Sequence, residues 1–526
     1  MLNRRGLGRG VVGALGLTAL ASRADAQDTR LRIGLAAPNT TMDPHLQSNA
    51  PNNAVASHIY DALVTNDERS RSTPGLAESW RTLDDTHWEL ALRRDVLFHD
   101  GAPFTAEDAM VSLRRANDLP STASFRTYTR SIKAMQTPDP HTLLIETAAP
   151  DPLLPNSLSR IRIISARHKD AATADFNTGR AAVGTGPFAF REYVPGSRVV
   201  LARNDAWWGP RPPWSEVVLS IATDRGGRLA SLLAGDLDLI EEPPAEGAAR
   251  VTGDPRFHLI RGVSSRFVYL GLDHHRDPTP FVTGPDGKPL ERNPLKDARV
   301  RRALSMAINR DALVDRVMLG NAVVASQFLP KGGVGTAPDL GPVPYDTNRA
   351  KALLAEAGYP RGFSITLHGP NDRIVNDAKL VQALAQMFTR IGVETRAEVM
   401  PWSVYAAKSN SNEFSIYLSS WGVNTGETSN PLTALVATVD RQAGMGASNA
   451  GRYSNPALDE KLKQATRTME EDARNRLLGE ACGLAFRDTA VLPLHHEVAV
   501  WAARKELTYA ARADQYTLAA GVGQAR

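Results

Sequence analysis

Side chains that can act as nucleophiles or phosphate binders occur in this sequence, but they do not stand at the spacing that a reaction requires. The segment Gly262–Arg266 (GVSSR) ends in arginine and therefore does not form the G-x-S-x-G turn that exposes a catalytic serine. The segment Gly184–Pro187 (GTGP) lacks the third glycine of a dinucleotide-binding turn, and the sequence has no G-K-[ST] phosphate loop. These patterns predict a protein that is not an enzyme and uses no cofactor.

Two histidine pairs, His274-His275 and His495-His496, raise the question of a metal site. Neighbouring side chains on a strand point to opposite faces, so neither pair easily chelates one ion. Glu497 follows the second pair, but the H-E-x-x-H motif is not formed. We therefore expect surface or hydrogen-bonded histidines and no bound metal.

The first 26 residues have the features of an export signal. Three arginines precede the short apolar run 11–21, and the small-residue ending 24–26 (ADA) suits a signal peptidase. A spanning helix needs about 20 apolar residues, roughly twice this run, so residues 1–26 are predicted to be a cleaved signal peptide. The alternative is an uncleaved anchor or an ordinary N-terminal helix. Because residues 3–7 (NRRGL) resemble a twin-arginine signal, that export route and the general secretory route both stay open.

The rest of the chain has the composition of a soluble globular protein. Of 526 residues, 42% are apolar and 22% are charged, which excludes a disordered chain and an integral membrane protein. Cleavage after residue 26 removes four arginines and one aspartate from 61 basic and 57 acidic residues, which leaves a near balance and no preference for nucleic acid. The only cysteine, Cys482, is far from the apolar run and offers no lipid attachment. We expect a free periplasmic protein.

Strand-like and helix-like segments alternate along the chain without a repeat, which indicates an α/β architecture. A capping box of Thr105 and Asp108 predicts a helix over 105–116, and Asn455 before Pro456 predicts the start of another. Strands are predicted over Arg30–Leu35, His87–Leu92, Thr142–Thr147, Arg198–Ala202, Glu216–Ile221, Phe267–Leu272, Phe363–Leu367, Val393–Val399 and Phe414–Leu418.

The segment Leu76–Ala116 carries a family resemblance. It reads LAESWRTLDDTHWELALRRDVLFHDGAPFTAEDAMVSLRRA and closely resembles the signature of family 5 extracellular solute-binding proteins, the receptors of peptide, opine and nickel ABC importers. Further landmarks follow in the family's usual order, namely 184–188 (GTGPF), 204–209 (NDAWWG), 232–239 (LLAGDLDL), 294–310 (PLKDARVRRALSMAINR), 350–360 (AKALLAEAGYP) and 453–459 (YSNPALD). The resemblance spans residues 30 to 500.

The resemblance implies the α/β fold of a two-lobed periplasmic binding protein, type II, of the large class with an extra inserted domain and a ligand cleft between the lobes. The first lobe would combine residues 27–62, 181–262 and 497–526. It would carry an inserted small domain at 63–180 and face a second lobe at 263–496. Ligand contacts to both lobes would favour the closed form, which an ABC permease and its ATPase read at the inner membrane. We expect a monomer.

In the family's peptide receptors, an extended peptide pairs its backbone with a strand that contains a tryptophan. Here the corresponding segment, residues 420–431, reads SWGVNTGETSNP. Trp421 matches the tryptophan, and Gly422 and Val423 offer backbone partners. The resemblance therefore implies ligand contacts at these three residues.

The residue that binds a peptide's free amino group in the family is an aspartate three positions after the tryptophan. This sequence has Asn424 there instead. A neutral amide pairs with an ammonium group less strongly than a carboxylate does, which weakens the case for a simple free peptide. Glu427, three residues on, is the candidate for supplying the missing charge, and a capping or solvent-facing carboxylate is the alternative.

Other ligand contacts are implied near the start of the chain. Residues 43–45 (DPH) match the family's D-P-H start, which places Ser48, Asn49 and Ala50 where ligand backbone contacts fall. A plain turn is the alternative interpretation of such small residues.

Aromatic residues are implied at two further places. Phe125 and Tyr128 lie where an aromatic residue of the inserted domain covers the ligand, although phenylalanine at the first position lacks the family tyrosine's hydroxyl donor. Trp402 precedes Trp421 by the same interval as a pocket tryptophan of the oligopeptide receptors, and a core position is the alternative.

Arg373 precedes a helix predicted over 377–391, in a loop where some relatives place a carboxylate-binding arginine. A guanidinium fork suits a ligand carboxylate, so Arg373 is a candidate anion clamp. A surface ion pair with Asp372 or Asp377 is the alternative.

The sequence therefore predicts a periplasmic substrate-binding protein of an ABC importer that captures a peptide or peptide-like solute by lobe closure. A receptor for an opine, an oligosaccharide or a metal chelate is the alternative within the same class. A periplasmic hydrolase and an interaction-only chaperone are the rivals from other classes. The hydrolase would require residues distant in sequence to converge in space.

Overall fold

The computed structural model describes residues 29–423 and 425–525. The predicted signal peptide, residues 1–26, and the candidate ligand residue Asn424 lie outside these ranges. Within them, no helix is both long enough and apolar enough to cross a membrane.

The chain folds into interleaved strands and helices. The strands are β1 Arg30–Leu35, β2 Val64–Asn66, β3 Ser72–Pro74, β4 Ala77–Thr82, β5 His87–Leu92, β6 Ile132–Asp139, β7 Thr142–Thr147, β8 Phe188–Val194, β9 Arg198–Arg203, β10 Glu216–Ile221, β11 Leu239–Glu241, β12 Phe257–Leu272, β13 Val282–Thr283, β14 Ala322–Val324, β15 Phe363–Pro370, β16 Val393–Met400, β17 Ile416–Gly422, β18 Leu492–Arg504, β19 Leu507–Tyr509 and β20 Val522–Gln524. The α-helices are α1 Ala50–Ile59, α2 Ala106–Asp118, α3 Arg126–Thr129, α4 Leu154–Leu158, α5 Thr173–Asn177, α6 Arg225–Ala234, α7 Ala248–Thr252, α8 Ala298–Ala307, α9 Arg310–Ala312, α10 Thr347–Glu356, α11 Asp377–Thr389, α12 Trp402–Asn410, α13 Ser429–Pro431, α14 Pro456–Ala465 and α15 Glu471–Arg487.

Twelve strands of the described ranges form one continuous sheet. Its main path is β13-β15-β17-β12-β18-β11-β1-β10-β9-β8, while β14 pairs with β18 and β16 pairs with β15. We call the part from β11 to β8 the first lobe and the part from β17 to β13 the second lobe. The α/β fold with two lobes is the fold that the resemblance implied.

The antiparallel pair β12–β18, which we call the hinge ribbon, belongs to both lobes. Its strands are 16 and 13 residues long, well beyond the usual five or six. Residues 257–263 pair with 498–504 beside β11, and residues 267–270 pair with 492–496 beside β17. The register shifts between the two stretches, so the ladder is irregular where one lobe gives way to the other.

A separate four-stranded antiparallel sheet, β4-β5-β7-β6, forms a small domain with α2. The Asp108 carboxylate accepts the backbone N–H of Thr105 at 2.7 Å, which confirms the predicted start of this helix. Side chains between Leu63 and Ile163 form the hydrophobic cluster of this domain.

Separate hydrophobic clusters support the two lobes. One cluster joins β1, β9 and β10 with the C-terminal segment in the first lobe, and two others involve the strands of the second lobe. Ile164 and Phe176, which fall within the predicted inserted domain, pack in the first lobe's cluster. The domain boundaries stay predictions.

Candidate ligand-binding cleft

A cavity of about 220 Å³ lies where the first lobe, the small domain and the hinge ribbon meet. Its walls include Ser48, Asn49 and Ala50 from the first lobe, Tyr128 from the small domain, Arg266 from β12 and Gly422 from β17. Five of the residues predicted to bind ligand thus line one space, although they come from distant parts of the chain.

The start of α1 forms one wall of this cavity. The Asn49 side chain caps the helix by accepting the backbone N–H of Asn52 at 3.1 Å, as its residue type favours. Ser48 donates its backbone N–H to the carbonyl oxygen of Ala123 at 2.7 Å, which ties this wall to the small domain. The positive end of the helix dipole therefore lies at the cavity.

Tyr128 and Phe125 have different positions. Tyr128 lines the cavity, whereas the Phe125 side chain is only 1% exposed and belongs to the core of the small domain. Their ring centroids are 6.4 Å apart, and Phe125 also contacts His45 edge-on at 6.4 Å. Phe125 therefore supports the aromatic wall from behind.

The strand β17 has an open edge at the cleft. Its parallel pairing with β15 covers Ile416 and Tyr417 only, and beyond Tyr417 no strand of the described ranges pairs with that edge. Its other edge is fully paired with β12.

Backbone groups of two residues point to this open edge. Val423 donates its N–H to the carbonyl oxygen of Ser265 at 3.0 Å, on the β12 side. Because bonded pairs alternate along an antiparallel ladder, Trp421 also bonds towards β12, while Ser420 and Gly422 direct their N–H and C=O groups away from it. The open edge therefore offers donors and acceptors that an extended chain can pair with.

A second cavity of about 480 Å³ brings together charged residues that lie far apart in the chain, among them Arg266, Arg373 and Glu497. Arg266 Nε lies 3.5 Å from Glu497 Oε2. Burial lowers the pKa of Arg373, and the nearby charge of Arg266 lowers it further. Burial raises the pKa of Glu497, and Arg266 opposes this rise.

Two carboxylates in and next to the Arg373 loop accept backbone N–H groups and so fix the loop. Asp377 accepts the Arg373 N–H at 2.9 Å, and Asp372 accepts the Trp402 N–H at 2.7 Å. Within residues 29–423 and 425–525, no carboxylate lies at ion-pair distance from the Arg373 guanidinium, which instead lies 5.3 Å from the centroid of the Trp402 ring. This arrangement leaves the guanidinium available to a solute.

The acidic residues on the first-lobe side of the cleft already have partners. Glu241 accepts the N–H of Ala36 at 2.8 Å and the hydroxyl of Thr517 at 2.6 Å. Glu242 pairs with Arg225 at 2.9 Å. These contacts leave Arg373 as a cation of the cleft that has no acidic partner at ion-pair distance within the described ranges.

The two tryptophans predicted to contact ligand line a third cavity, of about 520 Å³, in the second lobe. Trp421 donates its indole N–H to Asn430 Oδ1 at 2.7 Å, which fixes its ring. Trp402 is 42% exposed and stacks on Tyr405 with ring centroids 5.8 Å apart.

Glu427 and Val423 are buried beside the described end of β17. The Glu427 side chain is 5% exposed, and its Oε2 lies 3.3 Å from Arg474 Nε. Burial raises the pKa of Glu427, while Ser429 and Arg474 lower it. Arg474 occupies Oε2 only, while Oε1 is buried without a hydrogen-bond partner among the described residues.

Sequence reasoning missed Arg266 and Glu497. They face each other across the irregular part of the hinge ribbon, and nothing in the sequence links them because their contact depends on strand pairing. The available signal was Arg266 itself, a charged residue directly before the apolar run of a predicted strand.

A two-lobed fold whose cleft combines an open strand edge, aromatic walls and an unpaired guanidinium defines a solute-binding protein. Residues 71–442 match the family described as bacterial extracellular solute-binding proteins, family 5 (middle). This chain belongs to that family, whose members are extracellular receptors of ABC importers rather than enzymes.

Similar proteins share nearly the full length of the chain. Heme-binding protein A of Haemophilus influenzae is 27% identical over 478 residues, which cover 85% of this chain and 83% of that protein. The glutathione-binding protein GsiB of Salmonella typhimurium is 27% identical over 478 residues and 89% of each chain. The structure of HbpA2 from Haemophilus parasuis superposes with a TM-score of 0.80 at 23% identity, covering 94% of this chain and all of that one.

Proposed function

We propose that this chain is a monomeric periplasmic receptor that captures a peptide or peptide-like solute with a free carboxylate. It delivers the solute, chemically unchanged, to an ABC permease and ATPase. Residues 1–26 are removed on export, and no lipid anchors the mature protein. The observation that carries the proposal is the open edge of β17 together with the Arg373 guanidinium, which line two cavities that share Arg266 as a wall.

The open edge supports a peptide-like backbone. A peptide that adds to a strand edge gains main-chain hydrogen bonds whatever its side chains, which gives affinity with loose sequence preference. Ser420 and Gly422 supply these backbone partners, and the buried residue Val423 holds the end of the strand against Ser265. Ser48, Asn49, Ala50 and Tyr128 close the opposite side of the cavity, with Phe125 behind Tyr128.

Arg373 is proposed to bind the solute's carboxylate. Its guanidinium has no acidic partner within the described ranges and is held against Trp402, so little order is lost when a carboxylate docks. Arg266 lines the same cavity, where it faces Glu497 at 3.5 Å. Charge-assisted hydrogen bonds of this kind contribute about 1.5–3 kcal/mol.

Recognition of an amino group is proposed to be the weaker part of binding. Asn424 and Glu427 remain the candidate partners for it. A neutral amide at 424 gives a weaker bond than a carboxylate, and Glu427 is already engaged by Arg474.

The names of two relatives agree with this class of solute. Glutathione is a peptide-like molecule with free carboxylates, and heme also carries carboxylates. Both are larger than a single amino acid and require a roomy cleft, and the cleft here has a cavity of about 220 Å³ and one of about 480 Å³ that share Arg266 as a wall.

The test is calorimetric titration of the mature protein, refolded from denaturant to remove any solute carried through purification. The panel contains a tripeptide, its C-terminal amide, its N-acetyl derivative, glutathione and an opine. We expect the free acid to bind more tightly than the amide by about tenfold or more, because the amide lacks the charge that Arg373 pairs with. N-acetylation should have a smaller effect.

The Arg373→Gln variant should bring the acid-to-amide ratio of affinities close to one. Arg467→Gln, which changes an exposed arginine outside the three cavities, is the matched control and should keep the ratio of the unaltered protein. Binding of the opine alone would replace the peptide-like solute with the alternative class. An acid-to-amide ratio of affinities near one in the unaltered protein would overturn the proposal that the protein recognises a free carboxylate.

A further inference from the structure

The cavity of about 520 Å³ in the second lobe adjoins the open edge of β17. We call it the arginine-aromatic pocket, and its walls include Tyr269, Trp402, Tyr417, Trp421, Arg441 and Arg452. Ser420 of β17 also lines it, and Gly422, two residues further on, lines the first cavity. The pocket therefore includes Ser420, one of the two residues whose backbone groups are proposed to pair with a solute.

The charge of this pocket is one-sided. Arg441 and Arg452 line it, and among the described residues that form its walls there is no aspartate or glutamate. Neither guanidinium forms an ion pair within the described ranges. An arginine side chain keeps its charge at any physiological pH, so the pocket carries two uncompensated positive charges.

The acidic residue next to Arg441 in sequence is engaged elsewhere. Asp440 accepts the backbone N–H groups of Gln442 and Ala443, both at 3.0 Å, and so stabilises its own turn. Asp440 and Met445 exchange two backbone hydrogen bonds, at 3.1 and 2.9 Å, which close the loop that presents Arg441.

Arg452 is oriented by a neutral partner. When the Asn412 amide is placed to satisfy both of its neighbours, its nitrogen donates to the Ala450 carbonyl oxygen at 3.2 Å, and its oxygen accepts from Arg452 Nη2 at 3.3 Å. This contact positions the guanidinium without neutralising it.

The remaining walls suit the rest of an amphipathic side chain. Trp402 and Trp421 provide apolar faces, and Tyr269 and Tyr417 bring phenol groups into the same walls. Burial raises the pKa of Tyr269 to about 12, so its hydroxyl stays protonated. A negatively charged group thus meets cations and aromatic faces here, and meets no competing carboxylate among the described residues of the walls.

We propose that the arginine-aromatic pocket selects an acidic side chain, one that bears a carboxylate, on the captured solute, with Arg441 and Arg452 as its specificity-determining residues. This inference rests on the proposed function, because it assigns a side-chain pocket to a solute whose backbone pairs with β17. It adds a second carboxylate, distinct from the one assigned to Arg373.

The test uses tripeptides of alanine in which one residue is replaced by glutamate or by glutamine. Each of the three positions is replaced in turn, and the affinities of the glutamate and glutamine peptides are compared at that position. Glutamate and glutamine have nearly the same size, so the comparison isolates the charge. We expect the glutamate peptide to bind about tenfold more tightly, or better, at one position and with little preference at the others. This ratio is measured on the unaltered protein and needs no variant.

The double variant Arg441→Gln with Arg452→Gln should bring that ratio close to one, with Arg467→Gln as the control that retains it. Thermal unfolding of each variant confirms that it is folded. Peptide binding with no glutamate preference at any position would overturn this inference alone. Failure of every peptide to bind would overturn the proposed function and this inference with it.

Discussion

Glu427 Oε2 lies 3.3 Å from Arg474 Nε, and the two side chains are only 5% and 11% exposed. This ion pair joins the loop after β17 to α15. Breaking a buried pair leaves an uncompensated charge, which costs about 3–5 kcal/mol. The Arg474→Leu variant should therefore lose unfolding free energy of this size, measured by urea denaturation.

The double variant Glu427→Leu with Arg474→Leu is the control for this pair. It removes both charges and should recover most of the lost stability, since apolar residues often replace buried pairs at little cost. A single variant as stable as the unaltered protein would show that the pair contributes nothing to the folded state.

Buried histidines predict a loss of stability in mild acid. Burial lowers the pKa of five histidines from 6.5 to about 3 for His495 and about 4 for His45, His58, His274 and His496. Between pH 6.5 and 4 the unfolded chain binds protons that the folded chain does not, so unfolding free energy falls as pH falls. Each histidine contributes about 1.4 kcal/mol per pH unit over this window.

His495 isolates one share of this effect, because neither of its ring nitrogens has a hydrogen-bond partner within the described ranges. At each pH, the unfolding free energy of the unaltered protein is subtracted from that of His495→Leu. This difference should be about 2 kcal/mol larger at pH 5 than at pH 8. Urea denaturation at the two pH values measures this difference. A stability difference that does not change with pH would contradict the assignment.

The open edge of β17 predicts opposite effects of proline at neighbouring positions. Ser420→Pro removes an N–H that faces the cleft. Peptide binding should weaken about fivefold, because the net contribution of one hydrogen bond is lost. Ser420→Ala is the control for the loss of the serine hydroxyl. Trp421→Pro removes an N–H that bonds to β12 and should lower stability instead. Equal effects of Ser420→Pro and Ser420→Ala on affinity would rule out the backbone contact.

A buried carboxylate explains the tryptophan pair of the NDAWWG landmark. Asp61 accepts hydrogen bonds from the indole N–H of Trp208 at 2.8 Å, the hydroxyl of Thr185 at 3.0 Å and the indole N–H of Trp207 at 3.3 Å. Asp61→Leu would leave these donors unpaired and should cost at least about 3 kcal/mol. Asp61→Asn keeps one acceptor oxygen and should cost less in the same thermal or urea unfolding experiment.

Elements with strong local signals were predicted from the sequence. The predicted strands Arg30–Leu35, His87–Leu92, Thr142–Thr147 and Glu216–Ile221 are confirmed as β1, β5, β7 and β10, and α14 begins after Asn455 as its capping pair indicates. Period-two alternation and side-chain caps are local properties, so they can be read without knowledge of the fold.

The hinge ribbon was not predicted as a whole. Phe267–Leu272 is only the last part of β12, and β18 was missed because His495, His496 and Glu497 interrupt its apolar pattern. These residues are buried in the middle of the sheet, where pairing with strands from elsewhere in the chain decides the structure. The same dependence on distant pairing hid the contact of Arg266 with Glu497.

Because two long strands run unbroken from one lobe into the other, the lobes are joined by a hydrogen-bonded ladder and not by slack loops. Any closure of the cleft must therefore bend a paired ribbon, and the stretch from Val263 to Phe267, where the register shifts, has the fewest ladder hydrogen bonds to distort.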